Sequence, residues 1–215
     1  CENVLRRFGV EITYYDPLIG EGIAPLFRPN TRAVLVEAPG SQTFEMQDIP
    51  AIAAVAHAKG AVVIADNTWA TPLYFRALDF GVDLSVQAAT KYIGGHSDIM
   101  FGTISANAAA LPALHAAVKD LGQCAGPDDV FLALRGLRTM AVRLARLQAA
   151  GIAIAKWLRD HPAVERVLHP ALEGDPGHAI WKRDFTGASG LFSVILKPVP
   201  QQAVDAFLDA LHLFG

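Results

Sequence analysis

Short apolar runs alternate with segments of helical spacing through the first half of the chain. The runs are rich in Val, Ile, Leu and Ala and are typical of buried parallel strands. They predict strands at residues 33–36, 61–65, 83–88 and 102–106. Asp48 and Pro50 predict the start of a helix that closes at Gly60. This alternation predicts a three-layer α/β fold with a mostly parallel sheet.

The remaining pattern predicts the helices and strands around that sheet. We expect a strand at residues 10–15, short helices at 3–8 and 23–27, and helices at 73–80 and 108–121. A long helical pattern runs from Val130 to about Asp160, and its length suits a helix that bridges two domains. Strands at 164–168 and 190–196 and a helix at 201–211 follow. We therefore expect a large domain over residues 1–138 and the start of a smaller α/β domain over residues 139–215.

Two ionisable residues follow neighbouring predicted strands. Asp66 ends the apolar run 61–65, and Lys91 follows the run 83–88. Because the carboxyl ends of parallel strands share one edge of a sheet, both groups are expected at the edge where α/β proteins bind ligands. They could simply pair with each other or reach solvent. Alternatively, they suit pyridoxal phosphate, whose aldehyde requires an amine and whose ring nitrogen requires an anion. Thr90 offers a hydroxyl of the kind that binds phosphate.

The sequence around these residues resembles a known family. The stretches DNTWA at 66–70 and AATKYIGGHSD at 88–98 are similar to the cofactor-lysine signature of the pyridoxal-phosphate enzymes of cysteine and methionine metabolism. The similarity continues through LRGLRT at 134–139, HPAL at 169–172 and HAIWKRDFTG at 178–187. It covers nearly the whole chain and is greatest towards the bacterial cystathionine β-lyases.

The resemblance implies a fold and a set of roles. The fold would be that of the aspartate-aminotransferase-like large domain. Lys91 would hold the cofactor as an imine and act as the base at the substrate Cα, Asp66 would keep the ring nitrogen protonated, and Thr90 would help hold the phosphate. Relatives often carry serine at the position of Ala88, so one side-chain phosphate donor is missing here. The implied reaction is β-elimination from cystathionine, giving homocysteine, pyruvate and ammonia.

Two other classes of function stay open on the sequence. A sibling γ-lyase, γ-synthase or cysteine desulfhydrase could use the same scaffold, because no residue here excludes a second proton removal at Cβ. A non-catalytic α/β module could also keep the fold. The resemblance further implies a homo-oligomer, a dimer of dimers, with residues of a neighbouring subunit completing each site.

The composition of the chain limits the classes of binding partner and the cellular compartment that can be expected. The net charge of −3 argues against a nucleic-acid or anionic-membrane partner, and no apolar run approaches the ~18 residues of a membrane span. Cys1 and Cys124 cannot form a disulfide framework, so we expect a reducing cytoplasm. Family members are longer at both ends, so we expect the chain to be an internal piece. The phosphate loop, the ring-stacking aromatic and the substrate-binding arginine would then lie outside it, and residues 1–215 alone would not turn over cystathionine.

Other constellations have simpler interpretations. His96, Ser97 and Asp98 are adjacent and cannot align as a catalytic triad, so we expect a loop that positions Lys91. The seven histidines are scattered without metal-ligand spacing, and we predict no metal site. Trp69 and Tyr92 could line the site or pack in the core. A set of arginines in the long helix is expected to form a solvated or interface face, namely Arg135, Arg138, Arg143 and Arg146.

Overall fold

The protein is described by a computed structural model that covers residues 2–213. Its α-helices are α1 (Glu2–Leu5), α2 (Ile49–Ala58), α3 (Thr71–Tyr74), α4 (Leu111–Asp120), α5 (Pro127–Arg159), α6 (His178–Asp184) and α7 (Gln201–Asp209). Its strands are β1 (Ala33–Glu37), β2 (Val62–Asp66), β3 (Leu84–Ala88), β4 (Gly102–Ala106), β5 (Val164–Leu168) and β6 (Ser193–Leu196). Short 3₁₀ helices occur at Arg6–Phe8, Gly20–Leu26 and Ala77–Phe80. Cys124 is an exposed free thiol, whereas Cys1 lies outside the described residues.

The larger sheet has four strands in the order β1-β2-β3-β4. β1, β2 and β3 are parallel, which confirms the predicted mostly parallel α/β sheet. β4 returns antiparallel to β3, with Gly102 opposite Ala88. The register pairs Glu37 with Asp66 and Asp66 with Val86, so the carboxyl ends of β1, β2 and β3 lie along one edge.

Helix α2 covers one face of this sheet, as the sequence predicts. The Asp48 carboxylate accepts a hydrogen bond from the Ala51 N–H at 3.2 Å, which satisfies one free donor of the first turn. The side chains of Ile49, Ile52 and Ala56 are fully or almost fully buried. They join the apolar cluster around the inner positions of β1 and β2, where burial of apolar area supplies most of the folding free energy.

The predicted continuous helix at residues 73–80 is wrong. The chain forms the four-residue α3, then leaves helical geometry at Phe75, whose φ and ψ are −141° and 109°. The extended backbone sends the Phe75 ring into the core, 4.4 Å from the Phe185 ring and 5.0 Å from the Phe80 ring. The Asn67 amide donates to the Phe75 carbonyl at 2.9 Å. Burial of the ring therefore outweighs local helical spacing, and only a 3₁₀ turn remains before Gly81.

The predicted strand at residues 10–15 is also not formed. Its polar groups bond through side chains instead of a ladder. Thr13 accepts a hydrogen bond from Arg28 at 2.7 Å, and the Tyr15 hydroxyl donates to the Leu35 carbonyl at 2.8 Å. An alternating pattern is thus insufficient for a strand when the segment forms no backbone ladder with a neighbouring strand.

The long helix α5 leads to a second, two-stranded sheet. It contains 33 residues and is about 50 Å long. Beyond it, β5 and β6 pair antiparallel, and α7 follows. The predicted long helix, strand pair and terminal helix are confirmed, although β6 begins three residues after the predicted 190. The division into domains 1–138 and 139–215, with its boundary near Arg138, stays a prediction.

Residues after α5 also pack back onto the core of the first sheet. Phe185 and Ala188 are buried in that core. At its rim, Arg183 donates to both carboxylate oxygens of Asp48, at 2.9 and 3.0 Å, and to both oxygens of buried Asp184, at 2.6 and 2.7 Å. Because these charge-assisted contacts are bidentate, they fix α6 against the N-terminus of α2.

Candidate active site

Asp66 is the last residue of β2 and lies at the carboxyl edge of the sheet. Its side chain is half-buried, and one carboxylate oxygen accepts the Thr68 N–H at 2.9 Å. The next residue, Asn67, donates its N–H to the Val86 carbonyl at 2.8 Å, which continues the pairing of β2 with β3 beyond the strand. Asp66 is therefore held at a fixed height on the sheet edge by the backbone on both sides of it.

Lys91 lies three residues beyond the end of β3, in a compact turn. Its N–H donates to the Ala88 carbonyl at 3.0 Å, and its carbonyl accepts the Gly95 N–H at 2.7 Å. The Lys91 side chain is exposed. The backbone of the lysine is thus fixed at both ends while its side chain stays exposed to solvent.

Thr90 joins this turn to the start of β4. Its backbone N–H donates to the Phe101 carbonyl at 3.1 Å, and its hydroxyl oxygen accepts the Phe101 N–H at 2.9 Å. The same oxygen lies 3.3 Å from the Phe101 carbonyl oxygen, which can accept the hydroxyl proton. Because a hydroxyl can accept and donate together, Thr90 can anchor the turn and still offer its proton to an anion.

Thr68 brings the two strand ends together, a role that the sequence reasoning missed. Its hydroxyl accepts the Ala88 N–H at 2.8 Å, so it bridges the end of β2 to the end of β3. Thr68 is buried, as is its neighbour Asn67. Asp66 therefore shares one edge with the turn that carries Thr90 and Lys91. A hydroxyl two residues after a strand-end aspartate was the available sequence signal.

Of the simpler interpretations, an ion pair between Asp66 and Lys91 is not what the structure shows, whereas the exposed Lys91 side chain does reach solvent. Within residues 2–213 no ion pair joins their side chains. Only one oxygen of Asp66 has a hydrogen-bond partner in that range, the Thr68 N–H. A half-buried carboxylate, an exposed amine and a hydroxyl at one sheet edge match the three groups that pyridoxal phosphate requires, at its ring nitrogen, its aldehyde and its phosphate.

The two aromatic residues beside the site serve the packing around it. Trp69 is 7% exposed, and its Nε1–H donates to the Leu191 carbonyl at 2.8 Å. Burial raises the pKa of Tyr92, and contacts of its hydroxyl with Ser189 and with the backbone of Gly190 and Leu191 oppose the rise. The Ser189 hydroxyl itself lacks a well-aligned hydrogen bond within the described chain. The hydrogen bond of Trp69 thus ties the sheet edge to the segment that follows α6.

The loop 96–98 has no triad geometry. The His96 ring nitrogen Nδ1 lies 2.9 Å from the Gly94 carbonyl, and the Asp98 carboxylate lies 3.6 Å from the Arg135 guanidinium. These contacts hold the loop against its own backbone and against α5. Among residues 2–213, no three His, Cys, Asp or Glu side chains come close enough to share a metal ion.

The fold and the site together define a class of protein. It is an α/β protein whose candidate ligand groups stand at the carboxyl edge of a mostly parallel sheet, with an aspartate on one strand end and a lysine just past the next. The family model described as Cys/Met metabolism PLP-dependent enzyme matches residues 1–215. The chain belongs to this family, and the family's cofactor is pyridoxal phosphate.

Named relatives support the assignment at high identity. The chain is 58% identical over 219 residues to a Rhizobium johnstonii protein named "Putative cystathionine beta-lyase", covering 100% of this chain and 55% of the relative. It is 46% identical over 218 residues to Cystathionine beta-lyase MetC of Escherichia coli, covering 100% of this chain and 55% of the relative. The chain thus spans about half the length of the curated relatives it matches.

A solved structure shares the fold. The cystathionine gamma-lyase of Lactobacillus plantarum, complexed with L-serine, superposes with a TM-score of 0.87 at 31% identity. The match covers 92% of this chain and 52% of the other. It confirms the expected fold of a pyridoxal-phosphate-dependent lyase. None of the helices within residues 2–213 has the length and apolar composition required to cross a membrane.

Proposed function

We propose that this protein is a pyridoxal-phosphate-dependent carbon–sulfur lyase that cleaves cystathionine by β-elimination to homocysteine, pyruvate and ammonia. The observation that carries the proposal is the shared sheet edge of Asp66 and the turn that holds Thr90 and Lys91, joined by the Thr68–Ala88 hydrogen bond. Family membership supports it, as do the relatives named as cystathionine β-lyases.

Each of the three residues has a distinct role in the proposal. When bound, pyridoxal phosphate supplies an aldehyde for the amine and a protonated ring that accepts an electron pair. The Lys91 amine would hold the cofactor and, once freed by the substrate amine, would take the proton from the substrate Cα. The Asp66 carboxylate would keep a proton on the ring nitrogen, and the Thr90 hydroxyl would donate to the phosphate. The Cβ–S bond would break with its electron pair leaving on sulfur, the thiolate would take up a proton to become homocysteine, and water would hydrolyse the remaining three-carbon fragment to pyruvate and ammonia.

The similarity to a solved cystathionine γ-lyase gives a second candidate function. The TM-score of 0.87 supports a scaffold that could serve a γ-elimination as well as a β-elimination. The two reactions of cystathionine differ in their keto acid, because β-elimination yields pyruvate and γ-elimination yields 2-oxobutyrate. A chromatographic assay of both keto acids decides between them. We expect pyruvate to dominate, and dominant 2-oxobutyrate would refute the β-lyase assignment.

The lysine assignment is tested by covalent labelling. Borohydride reduction of the holoenzyme should fix the cofactor to a peptide that contains Lys91. Lys91→Arg should abolish the label, whereas Lys59→Arg, at an exposed lysine after α2, should leave it unchanged. A label on another lysine, or no visible absorbance that borohydride removes, would refute the proposal and would favour a non-catalytic α/β module.

The aspartate assignment is tested by a change of charge at nearly constant shape. We expect Asp66→Asn to lose about 2–4 kcal/mol of transition-state stabilisation, a roughly 30- to 900-fold drop in kcat/KM. Asp79→Asn is the matched control, because Asp79 is exposed and forms a surface ion pair with Arg76, just before the 3₁₀ helix. Values of kcat/KM within a few-fold of the parent for the Asp66 variant would contradict its role at the ring nitrogen.

We further propose a cytoplasmic homo-oligomer, a dimer of dimers. Exposed apolar side chains on α5 support a subunit contact, among them Phe131 at 64% and Val142 at 76% exposure. The exposed free thiol of Cys124 fits a reducing compartment. Sedimentation velocity of the holoenzyme should give a tetramer, and a monomer at micromolar concentration would refute this part of the proposal.

A further inference from the structure

The turn that carries Lys91 is covered from one side by helix α5. Gly136 is the point of closest approach, because a Cβ added there would lie 2.2 Å from the Ile93 carbonyl oxygen and 2.4 Å from the Gly94 carbonyl oxygen. Both neighbours are backbone atoms, which cannot move aside without moving the turn. Only glycine therefore allows α5 to lie directly on the turn.

The turn is equally restricted on its inner side. A Cβ at Gly94 would meet the Ile99 side chain at 2.8 Å and the Ala89 carbonyl oxygen at 3.1 Å. The Gly94 N–H donates to that same carbonyl at 2.7 Å. The backbone of the turn is thus enclosed between the loop before β4 and α5, with no space for a shift of the magnitude of one methyl group.

Arg143 completes the cover from the same helix. Its Nη2 donates to the Ile93 carbonyl at 3.3 Å and to the Gly136 carbonyl at 2.8 Å, and its Nε donates to the Thr139 hydroxyl at 3.1 Å. The guanidinium lies over Gly95, where an added Cβ would be 2.1 Å from Nη1. Partial burial lowers the pKa of Arg143, whose side chain is half-buried against the turn.

These contacts lead directly to the lysine. The Gly95 N–H closes the turn by donating to the Lys91 carbonyl at 2.7 Å, and Arg143 packs on Gly95. We propose that Gly136 and Arg143 are positioning residues that fix the backbone of Lys91 and so set the direction of its amine. The inference rests on the proposed function, because it assigns these residues to the lysine that holds the cofactor. It also replaces the expected solvated or interface role for Arg143.

The test uses Arg143→Met, Arg143→Lys and Gly136→Ala, with Arg146→Met as the matched control. Arg146 is exposed on the same helix, three residues further on. Three kinds of measurement are made: amide hydrogen exchange of the peptide around residues 89–98 in the apo-protein, the pH profile of the visible absorbance of the cofactor–lysine adduct in the holoenzyme, and kcat and KM of the holoenzyme. The first needs no activity, and the second reports the environment of the lysine amine rather than overall stability.

We expect Arg143→Met to speed exchange at Gly94 and Gly95 by roughly tenfold or more, because those amides are held closed by the cover. The absorbance midpoint should shift, and kcat should fall by about tenfold or more while KM changes little, as expected when a reacting group is displaced by a fraction of an ångström. Arg143→Lys should restore part of the parent's exchange rate, absorbance midpoint and kcat, because lysine keeps the positive charge but lacks the several planar N–H donors of the guanidinium. Gly136→Ala should reproduce them, or fail to fold, in which case the arginine variants decide.

The outcomes separate the two claims. If the parent protein forms no adduct on Lys91, the proposed function fails. If the parent forms the adduct and the Arg143 variants keep its pH profile, the positioning inference fails while the proposed function stands. The inference is also overturned if Arg146→Met changes exchange and absorbance as much as Arg143→Met does, because the effect would then not depend on contact with the turn.

Discussion

Replacing Asp83 by asparagine tests which hydrogen bonds stabilise the amino ends of the parallel strands, opposite the edge that carries Asp66. Asp83 lies immediately before β3 and is 8% exposed. Its carboxylate accepts hydrogen bonds from the Val63 N–H at 2.7 Å, from the Asn107 amide at 2.7 Å and from the His57 ring nitrogen Nε2 at 2.9 Å. One side chain therefore joins β2, β3, the residue after β4, and α2.

The expected loss can be worked out from these bonds. Asparagine keeps the shape but has one accepting oxygen, and its amide hydrogens would face donors. At least one buried donor then loses its partner, at about 1–3 kcal/mol, and the remaining bonds lose their charge. The contribution of His57 is discounted because its side chain is 45% exposed. We expect a total of about 2–4 kcal/mol, which lowers the thermal midpoint by roughly 4–16 °C for a chain of this size.

The pH dependence has a definite sign. Burial raises the pKa of Asp83, but hydrogen bonds from Val63, His57 and Asn107 together lower it below the ordinary 3.8. A carboxyl group with a depressed pKa stabilises the fold fully above its ordinary pKa and loses that contribution as pH falls through the folded-state value. The stability gap between parent and variant should therefore be constant above about pH 5 and should narrow below pH 4.

The assay is thermal unfolding at matched protein concentration across pH 3–8, since association would otherwise shift the midpoint. Asp79→Asn is the control, because it makes the same chemical change at an exposed aspartate. Two results would refute the reasoning. One is a gap below about 0.5 kcal/mol at pH 7, typical of a surface substitution. The other is a gap that widens as the solution is acidified.

Three further predictions concern other parts of the core. Thr68→Val should lower the free energy of unfolding by about 1–3 kcal/mol because the Ala88 N–H loses its acceptor, whereas Thr68→Ser should retain most of that free energy. Equal losses for the two variants in chemical unfolding would contradict the bridge between the ends of β2 and β3. Phe75→Ala should cost about 3–5 kcal/mol, against less than 1 kcal/mol for exposed Leu73→Ala, and similar thermal shifts would show that the ring is not core. Arg183→Ala should lower the free energy of unfolding by about 1–3 kcal/mol, less than the loss of a fully buried ion pair, because the arginine is half-exposed. Unchanged stability at pH 7 would refute the idea that Arg183 fixes α6 against α2.

Local patterns were sufficient for the sheet and for placing Asp66 and the Lys91 turn at one edge of it. Apolar, β-branched runs are typical of buried parallel strands, so the strands that end at Glu37, Asp66 and Ala88 were predictable from residue type. Since parallel strands align their carboxyl ends, the shared edge of Asp66 and Lys91 followed from connectivity. The capped helix after Asp48 followed from the chemistry of one side chain.

Contacts between distant segments decided the rest. The break at Phe75 depends on Phe185, which is 110 residues away along the chain, and no local spacing encodes that stacking. The sequence placed Arg143 on an expected solvated or interface face and gave no role to Gly136, but in the structure both lie on the Lys91 turn because α5 packs there. The sequence thus determined which groups could do the chemistry and at which edge of the sheet they stand. Only the tertiary structure decided what holds the lysine in place, because close packing and hydrogen bonding join residues without regard to their separation in sequence.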